Sequence, residues 1–286
     1  MKQKIKKLMI QLLHDCILVE NILVIGDLHI GYDEYSHGKV VFPGSQLKEI
    51  INKLEEIFQF LNKNNKKVKK IILLGDVKHD FGAITDIEWR ETLQFFDYLK
   101  NKIGEKGKII IIKGNHDNIL KPIVKKRNIL LRDYYCIEIK GRKMCFMHGN
   151  KLFKQCLNVQ TNKRTTKQLK LNEQMNRQTA STNKQIDKQR YQQIIFLGHL
   201  HPAITLSDKY KSEKYKCFLH GNLKGKEVYV LPSFSSLSFG YELLDLETGK
   251  EKFFIIPPRD LRKFDVVIYN NKEKKEYNFG RLNKLI

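Results

Sequence analysis

Residues 22–29 read Ile-Leu-Val-Ile-Gly-Asp-Leu-His, an apolar run that ends in a polar motif. Four later stretches repeat this arrangement, with apolar residues at 71–74, 109–112, 144–147 and 194–197. Continuous apolar runs of this length predict strands that are buried on both faces of a sheet. In layered α/β folds, ligands bind beyond the carboxyl ends of such strands. The polar motifs are therefore predicted to converge on one site.

These motifs supply carboxylate, amide and imidazole groups in a fixed order along the chain. They are Asp27-Leu28-His29, Gly75-Asp76, Gly114-Asn115-His116-Asp117, His148-Gly149 and Gly198-His199-Leu200-His201. Each motif alone is typical of ordinary turns, and only their repetition at strand ends indicates a site. The set suffices for two divalent metals, which suit in-line phosphoryl chemistry. Mixed oxygen and nitrogen ligands favour Mn, Fe, Co or Zn over Ca, and the lack of cysteine in the set argues against a structural zinc site.

In this order over residues 27–201, the motifs resemble the D-x-H, G-D, G-N-H-[DE], H and G-H-x-H pattern of the calcineurin-like metallophosphoesterases. The stretches 27–32, 75–82 and 198–203 look most like archaeal phosphoesterases related to the SbcD nuclease, which implies an archaeal source. The resemblance implies an α/β sandwich of four layers, α-β-β-α, in which two mixed β-sheets pack face to face. It also implies phosphoester hydrolysis by a hydroxide shared between two metals, with Mn²⁺ expected first and Fe, Zn, Co or Ni as alternatives.

The resemblance also implies which residues ligate the metals. Asp76 would bridge both ions. The remaining ligands would be Asp27, His29 and His201 at one ion, and Asn115, His148 and His199 at the other.

His116 and Asp117 have a different implied role. The resemblance makes His116 the general acid that protonates the leaving oxygen, or a cation over the phosphate. Asp117 would then orient the imidazole ring. A third metal ligand or a capping residue is the alternative for His116.

Four residues near the motifs are candidates for substrate contacts. His79 is predicted either to contact a phosphate or nucleoside, or to be a loop histidine packed near the site. Lys78 either steers anions or is a solvated loop lysine. Tyr32 and Phe81 either stack on a base or pack at the rim. The other histidines are predicted to lie on the surface (His14, His37) or in a turn (His220).

The chain has 286 residues and a formal net charge of +22. This charge favours anionic partners, above all nucleic acid or a nucleotide. A bias towards Lys, Asn and Ile, which codons rich in A and T produce, is the alternative explanation. Residues 151–192 carry ten Lys or Arg against two acidic residues, a net of +8.

Membrane and redox features point to the cytoplasm. No apolar run of about eighteen residues is present, and Leu8–Leu13 is too short for a signal peptide. No membrane partner is therefore expected. The five cysteines are an odd, scattered set, which predicts reduced thiols. Cys136 and Cys145 nevertheless face each other if residues 140–142 form the turn of a hairpin.

The predicted organisation is one metallophosphoesterase domain over residues 1–256 and a charged extension over 257–286. Helices are expected from Gly44 or Ser45 to about Asn62, and from Thr85-Asp86 to about Asn101. Residues 155–193 are basic, polar and poor in apolar side chains, which predicts a disordered or frayed insertion. This insertion is either a nucleic-acid-binding flap or without function.

The favoured activity is that of a metal-dependent phosphodiesterase, similar to a nuclease. The same metals also support a phosphomonoesterase that acts on a small metabolite, which is the alternative. A protein phosphatase is disfavoured because residues 77–82 contain no arginine. A non-catalytic nucleic-acid-binding protein is disfavoured because all motif ligands are present. The oligomeric state is left open, with a dimer as one option.

Overall fold

The computed structural model describes residues 8–32, 44–82, 84–157, 193–246 and 254–285. The strands are β1 Ile10–Leu13, β2 Cys16–Val19, β3 Ile22–Ile25, β4 Lys70–Leu73, β5 Lys108–Ile112, β6 Leu130–Arg132, β7 Tyr134–Ile139, β8 Arg142–Met147, β9 Ile194–Leu197, β10 Pro202–Ser207, β11 Ser212–Lys216, β12 Phe218–Leu223, β13 Lys226–Val230, β14 Tyr241–Glu242, β15 Asp265–Asn270 and β16 Lys275–Arg281. The helices are α1 Ser45–Lys63, α2 Asp86–Ile103, α3 Lys121–Lys126, α4 Lys154–Leu157 and α5 Pro258–Leu261.

Two large mixed sheets organise these strands. The first has six strands in the order β1-β2-β3-β4-β5-β6, and β3 to β6 run parallel. The second has seven strands in the order β16-β15-β12-β13-β9-β8-β7, with a parallel centre of β13, β9 and β8. A three-stranded sheet, β11-β10-β14, lies outside them. The apolar runs that precede the motifs are β3, β4 and β5 of the first sheet and β8 and β9 of the second, all within these parallel regions.

The two large sheets pack face to face through a shared apolar layer. In β3, Ile22 and Val24 point into this layer, whereas Leu23 and Ile25 pack on the opposite face against the helices. In β8, Met144 and Phe146 point inward. Because successive side chains of a strand alternate between the two faces, a strand covered on both sides must be apolar at every position. This explains the uninterrupted runs and confirms the predicted fold class.

Helices α1 and α2 cover the outer face of the first sheet. The apolar positions of α1 are buried at helical spacing, as predicted, and include Leu47, Leu54 and Leu61. Helix α2 begins after Thr85, whose side chain accepts a hydrogen bond from the backbone N–H of Glu88 at 3.0 Å. Both predicted helices therefore form, and each ends within two residues of the expected position.

The outer face of the second sheet is covered by shorter elements. Its core includes residues of the small sheet, of helix α5 and of the 3₁₀ turns Leu243–Asp245 and Leu282–Lys284. The stretch 257–286, treated above as a charged extension, supplies β15 and β16 to this sheet. Val266 and Ile268 of β15 are buried in the apolar core on the outer face of this sheet. The sheet thus continues past residue 256.

Several expectations about single residues are wrong. His14 is buried at 5% exposure, because the β1–β2 turn packs it beside Tyr269. His220 lies within β12, and the hairpin turn falls later, at Lys224-Gly225. Cys136 and Cys145 are not reduced thiols but form a disulfide, because antiparallel pairing of β7 and β8 places them directly opposite each other.

Two further expectations lie outside the described residues, namely His37 and most of the insertion, residues 158–192. None of the helices within the described residues combines the length and apolarity needed to cross a membrane.

Candidate metal centre

The five polar motifs follow β3, β4, β5, β8 and β9, all at one edge of the paired sheets. The chain leaves each strand through a sharp turn, and several motif residues adopt left-handed backbone conformations. The φ angles are 49° at His29, 46° at Asp76, 66° at His199 and 49° at His201. Non-glycine residues rarely occupy this region, and such strain clusters at functional sites.

Motif glycines allow the loops to approach the acidic side chains. A Cβ atom on Gly114 would lie 2.1 Å from Oδ1 of Asp76, and one on Gly198 would lie 2.6 Å from Oδ2 of Asp27. Both distances are below any tolerable contact. Only glycine therefore permits these carboxylates to sit where the loops meet.

One group of potential ligands consists of Asp27, His29 and His201, whose donor atoms lie within 4.8 Å of one another. The Nε2 atom of His201 is 3.3 Å from Oδ1 of Asp27. Asp27 is fully buried, and His29 is 7% exposed. Three donors thus converge from the ends of β3 and β9.

A second group consists of Asp76, His148 and His199, again within 4.8 Å. His148 links the two groups, because its Nε2 is 3.3 Å from Oδ2 of Asp76 and its Nδ1 is 3.3 Å from Oδ1 of Asp27. The Oδ1 atom of Asn115 lies 3.0 Å from Nε2 of His148. All the residues predicted as ligands are thereby brought to one place, in two adjoining groups.

Two atoms of this centre favour a bound cation. Oδ1 of Asp27 and Nε2 of His201 are buried and 3.3 Å apart, yet within the described residues neither makes a well-aligned hydrogen bond. A buried polar atom left without a partner costs about 1–3 kcal/mol. A cation between them would satisfy both, so the donor set fits divalent metal ions of the borderline type.

The electrostatics of the centre depend on burial and on pairing between its charges. Burial lowers the pKa of His29 to about 3, so this imidazole is neutral and free to ligate. Burial also lowers the pKa of His148, but the carboxylates of Asp27 and Asp76 outweigh it and raise that pKa to about 9. Burial raises the pKa of Asp27, yet the imidazoles of His201 and His148 hold it well below its usual range.

His116 lies beside the second group, but its ring is not held as expected. Its Nδ1 atom is hydrogen-bonded to the backbone carbonyl oxygen of His79, and its Nε2 is 3.8 Å from Oδ2 of Asp76. Asp117 is fully buried and accepts hydrogen bonds from the backbone N–H groups of Val77 at 3.0 Å and Gly114 at 2.9 Å. The assignment of Asp117 as the residue that orients His116 is therefore wrong. The 3₁₀ turn that starts at Asp117 directs the carboxylate into the protein.

Lys78 is neither a solvated loop lysine nor exposed to substrate. Its side chain is fully buried, donates a hydrogen bond to the carbonyl oxygen of Asp80, and lies 3.9 Å from Oε2 of Glu88. Glu88 reaches back from helix α2 and also accepts from the N–H groups of His79 at 2.8 Å and Asp80 at 3.1 Å. The two residues fix the backbone of the 78–80 loop.

The open side of the centre carries aromatic rings. His79 approaches His29, with their Nδ1 atoms 3.4 Å apart, and meets Tyr32 edge-on at 4.4 Å between ring centroids. Phe81 lies over His116 at 3.5 Å between centroids and remains 54% exposed. Burial lowers the pKa of His79 to about 4, and the neighbouring His116 adds to the shift. His79, Tyr32 and Phe81 therefore border the centre without belonging to either ligand group.

Gln46 is a positioning residue that sequence reasoning missed. Its Oε1 accepts from the N–H groups of Gly31 and Tyr32 at 3.0 and 3.1 Å, and its Nε2 donates to the carbonyl of His29 at 2.8 Å. This fully buried amide holds the loop that carries His29. One feature of the sequence could have identified it, because helical spacing places this polar residue on the apolar face of α1, four positions before Ile50.

A sequence model described as calcineurin-like phosphoesterase matches residues 20–246. The chain is similar to a solved nuclease from Pseudomonas putida, with 16% identity and a TM-score of 0.49, over 92% of this chain and 96% of that one. It is also similar to a protein of unknown function from Aquifex aeolicus, with 18% identity and a TM-score of 0.34, over 63% and 79% of the two chains. No curated protein matches it. The matched range contains every site motif.

Proposed function

Because the chain belongs to the calcineurin-like phosphoesterase family, and is thus a hydrolase of phosphoric esters, we propose that it is a phosphodiesterase acting on nucleic acid or a nucleotide. The observation that carries this proposal is the exposed ring of Phe81 beside His116. A nucleobase can stack on such a ring, whereas a phosphomonoester without an aromatic ring cannot. The net charge of +22 supports an anionic, extended substrate.

We propose that two divalent metal ions, with Mn²⁺ as first choice, bind at the two ligand groups. Asp27, His29 and His201 would hold one ion, and Asn115, His148 and His199 the other. Asp76 contacts His148 of one group through Oδ2, and its charge also interacts with His29 of the other group, which suits a carboxylate shared between the ions. When bound, the ions would supply Lewis-acid activation of water and of the phosphoryl oxygens.

The remaining residues would act on the substrate directly. His116 is hydrogen-bonded through Nδ1 to a backbone carbonyl, which leaves Nε2 to donate a proton to the leaving oxygen. His79 would contact a non-bridging phosphate oxygen as a neutral imidazole. Tyr32 and Phe81 would pack against the base or sugar on the leaving side. The likeness of residues 75–82 to phosphoesterases related to the SbcD nuclease supports this set of roles.

A direct comparison of two substrates tests the proposal. The metal-free protein is reconstituted with Mn²⁺ and assayed on bis-p-nitrophenyl phosphate and on p-nitrophenyl phosphate. The proposal requires a higher kcat/KM for the diester, followed by cleavage of single-stranded or duplex DNA. Asp76→Asn serves as the control, because it removes the shared carboxylate and should abolish both activities. Preference for the monoester would overturn the proposal in favour of a metabolite phosphatase.

A further inference from the structure

A cluster of three cysteine sulfurs lies on the outer face of the second sheet, separate from the phosphoesterase centre. The Sγ atoms of Cys136, Cys145 and Cys156 are all within 4.8 Å of one another. Cys145 and Cys156 are fully buried, and Cys136 packs against the same core. The sulfur of Cys156 is 3.6 Å from that of Cys136. The phosphoesterase reaction uses none of these groups.

The backbone brings these sulfurs together from two directions. Cys136 and Cys145 are directly opposed on β7 and β8, with their Cα atoms 4.2 Å apart. Cys156 comes from helix α4, which crosses the same face of the sheet. An antiparallel pair with so short a Cα separation is of the non-hydrogen-bonded type, in which side chains are closest. Two of the three donors are therefore fixed by the sheet itself.

A buried amide provides a second, independent indication of a ligand. Gln193 is 1% exposed, and its Nε2 donates to Sγ of Cys145 at 3.3 Å and to the carbonyl oxygen of Cys156. Its Oε1 has no hydrogen-bond partner among the described residues. Such an orphaned oxygen is costly in a protein interior. A cation beside the sulfurs would relieve that cost, while the N–H group stabilises a thiolate.

We propose that Cys136, Cys145 and Cys156, with Gln193 beside them, form a second metal site that takes one thiophilic cation of the zinc type when its thiols are reduced. Three thiolates and one oxygen donor match the tetrahedral preference of Zn²⁺. Softer sulfur ligands also discriminate against the Mn²⁺ proposed for the phosphoesterase centre. The ammonium group of Lys143, which donates to the carbonyl of Gln155 at 2.9 Å, lies on the same side and offsets part of the negative charge.

The disulfide between Cys136 and Cys145 is the oxidised, metal-free form of this site. A dithiol reductant breaks the sulfur–sulfur bond, supplies two electrons and two protons, and is itself oxidised to a disulfide. The cation then displaces one proton from each of the three thiols. Burial raises the pKa of the Cys156 thiol, and metal binding to a thiol releases its proton. Binding would tie together Cys156 and Gln193, which flank residues 158–192.

Cobalt binding to the 286-residue chain tests the site, because thiolate ligands give a signal that the phosphoesterase centre does not give. The protein is reduced with a phosphine, freed of reductant and metal, and titrated with Co²⁺. Thiolate ligation of Co²⁺ produces charge-transfer absorption in the near ultraviolet, whereas oxygen and nitrogen ligands do not. We expect this absorption to saturate at one thiolate-bound Co²⁺ per chain and to vanish when Zn²⁺ is added.

Matched variants and the oxidised protein complete the test. Cys156→Ser should abolish or strongly reduce the absorption, and Cys217→Ser, which alters a buried thiol outside the cluster, should retain it. Gln193→Leu should weaken Co²⁺ affinity by about 10- to 100-fold. Wild-type protein with the Cys136–Cys145 disulfide intact should give no absorption, which tests the site without any substitution. Absence of the signal from reduced wild-type protein, or its persistence in Cys156→Ser, would overturn the proposal.

Discussion

The Nδ1 atom of His116 is hydrogen-bonded to the backbone carbonyl oxygen of His79, whereas Asp117 accepts from backbone N–H groups and does not bind the ring. Because a carbonyl oxygen only accepts, the proton of this hydrogen bond stays on Nδ1. We therefore expect the Nε2 atom to be the one that exchanges a proton with substrate. The carbonyl of His79 is itself placed by Glu88, which accepts from the N–H of the same residue at 2.8 Å.

The leaving-group dependence of His116 variants follows from this arrangement. We expect His116→Gln to lower kcat by about 10²- to 10⁴-fold on diesters with alkoxide leaving groups. The loss on p-nitrophenyl esters should be far smaller, because p-nitrophenolate departs without a proton. Steady-state kinetics on a matched ester series measures the difference. His220→Gln is the control, since His220 lies within β12 and outside the metal centre. Equal losses for both leaving groups in His116→Gln would contradict the general-acid role.

Lys78 should matter for stability and not for substrate affinity. Its removal leaves the buried carboxylate of Glu88 without its cation, which typically costs about 3 kcal/mol or more. We therefore expect Lys78→Met to lower the free energy of unfolding by about 3 kcal/mol, with KM unchanged. Urea denaturation measures the first quantity and steady-state kinetics the second.

Two further variants make this prediction specific. The double variant Lys78→Met/Glu88→Gln should recover part of the lost stability, because it removes the uncompensated charge. Lys121→Met, at an exposed lysine, should change stability by less than about 0.5 kcal/mol. A raised KM together with normal stability in Lys78→Met would instead support the role in steering anionic substrates that the sequence analysis considered for Lys78.

The close approach of the loops makes Gly114 essential for the metal centre. A methyl group there would lie 2.1 Å from Oδ1 of Asp76, so Gly114→Ala must displace the carboxylate. We expect metal content to fall from about two ions per chain to below one, with at least about 10²-fold loss of activity. Elemental analysis after gel filtration measures the content. Gly82→Ala is the matched control, since a Cβ on Gly82 meets nothing within 4 Å.

The placement of the site was predictable from sequence because it follows from strand periodicity. Runs such as Ile22–Ile25 are buried on both faces, so their positions and the motifs at their ends are set by local pattern. The helix start at Thr85 was equally local, because capping involves only the next three residues. Both features are determined by residues that are neighbours in the sequence, so they can be predicted from it.

The features that sequence reasoning missed depend on contacts between distant residues. Whether Lys78 is solvated or buried is decided by Glu88 on a separate helix, and the apolar stem of lysine permits either outcome. The direction of Asp117 is set by a 3₁₀ turn that brings it to Val77, forty residues earlier in the chain. The sulfur cluster forms because Cys156 packs against the cysteines of β7 and β8, and no local sequence pattern predicts this contact.

Phe81 should contribute to affinity for substrates that carry a base. Its ring is 54% exposed, so Phe81→Ala should leave the free energy of unfolding within about 0.5 kcal/mol of wild type. Base stacking on an aromatic ring is worth about 1–3 kcal/mol, which predicts a rise in KM for a dinucleotide of about 5- to 150-fold. A diester without a base should lose less. Tyr210→Ala, at a ring that is 88% exposed on the β10–β11 turn, should leave both values unchanged.

Metal binding should release a proton at neutral pH. In the metal-free protein, the pKa of His148 is raised to about 9, so this residue is protonated at pH 7.5, whereas a ligating imidazole must be neutral. His29, with its pKa lowered to about 3, is already neutral. We expect about one proton to leave His148 as Mn²⁺ binds, and the apparent Mn²⁺ affinity to rise with pH up to about 9. Calorimetric titrations in buffers of different ionisation enthalpy give the proton count.

The same shift determines how the stability of the metal-free protein varies with pH. Because the pKa of folded His148 lies above its unfolded value of 6.5, this group stabilises the metal-free fold fully below pH 6.5 and loses its contribution as pH rises through 9. Protein saturated with Mn²⁺ should not show this loss, since its His148 carries no proton to lose. Thermal unfolding of both forms between pH 6 and 9.5 separates the two behaviours. A proton count near zero at pH 7.5, with parallel stability profiles, would exclude His148 as a ligand.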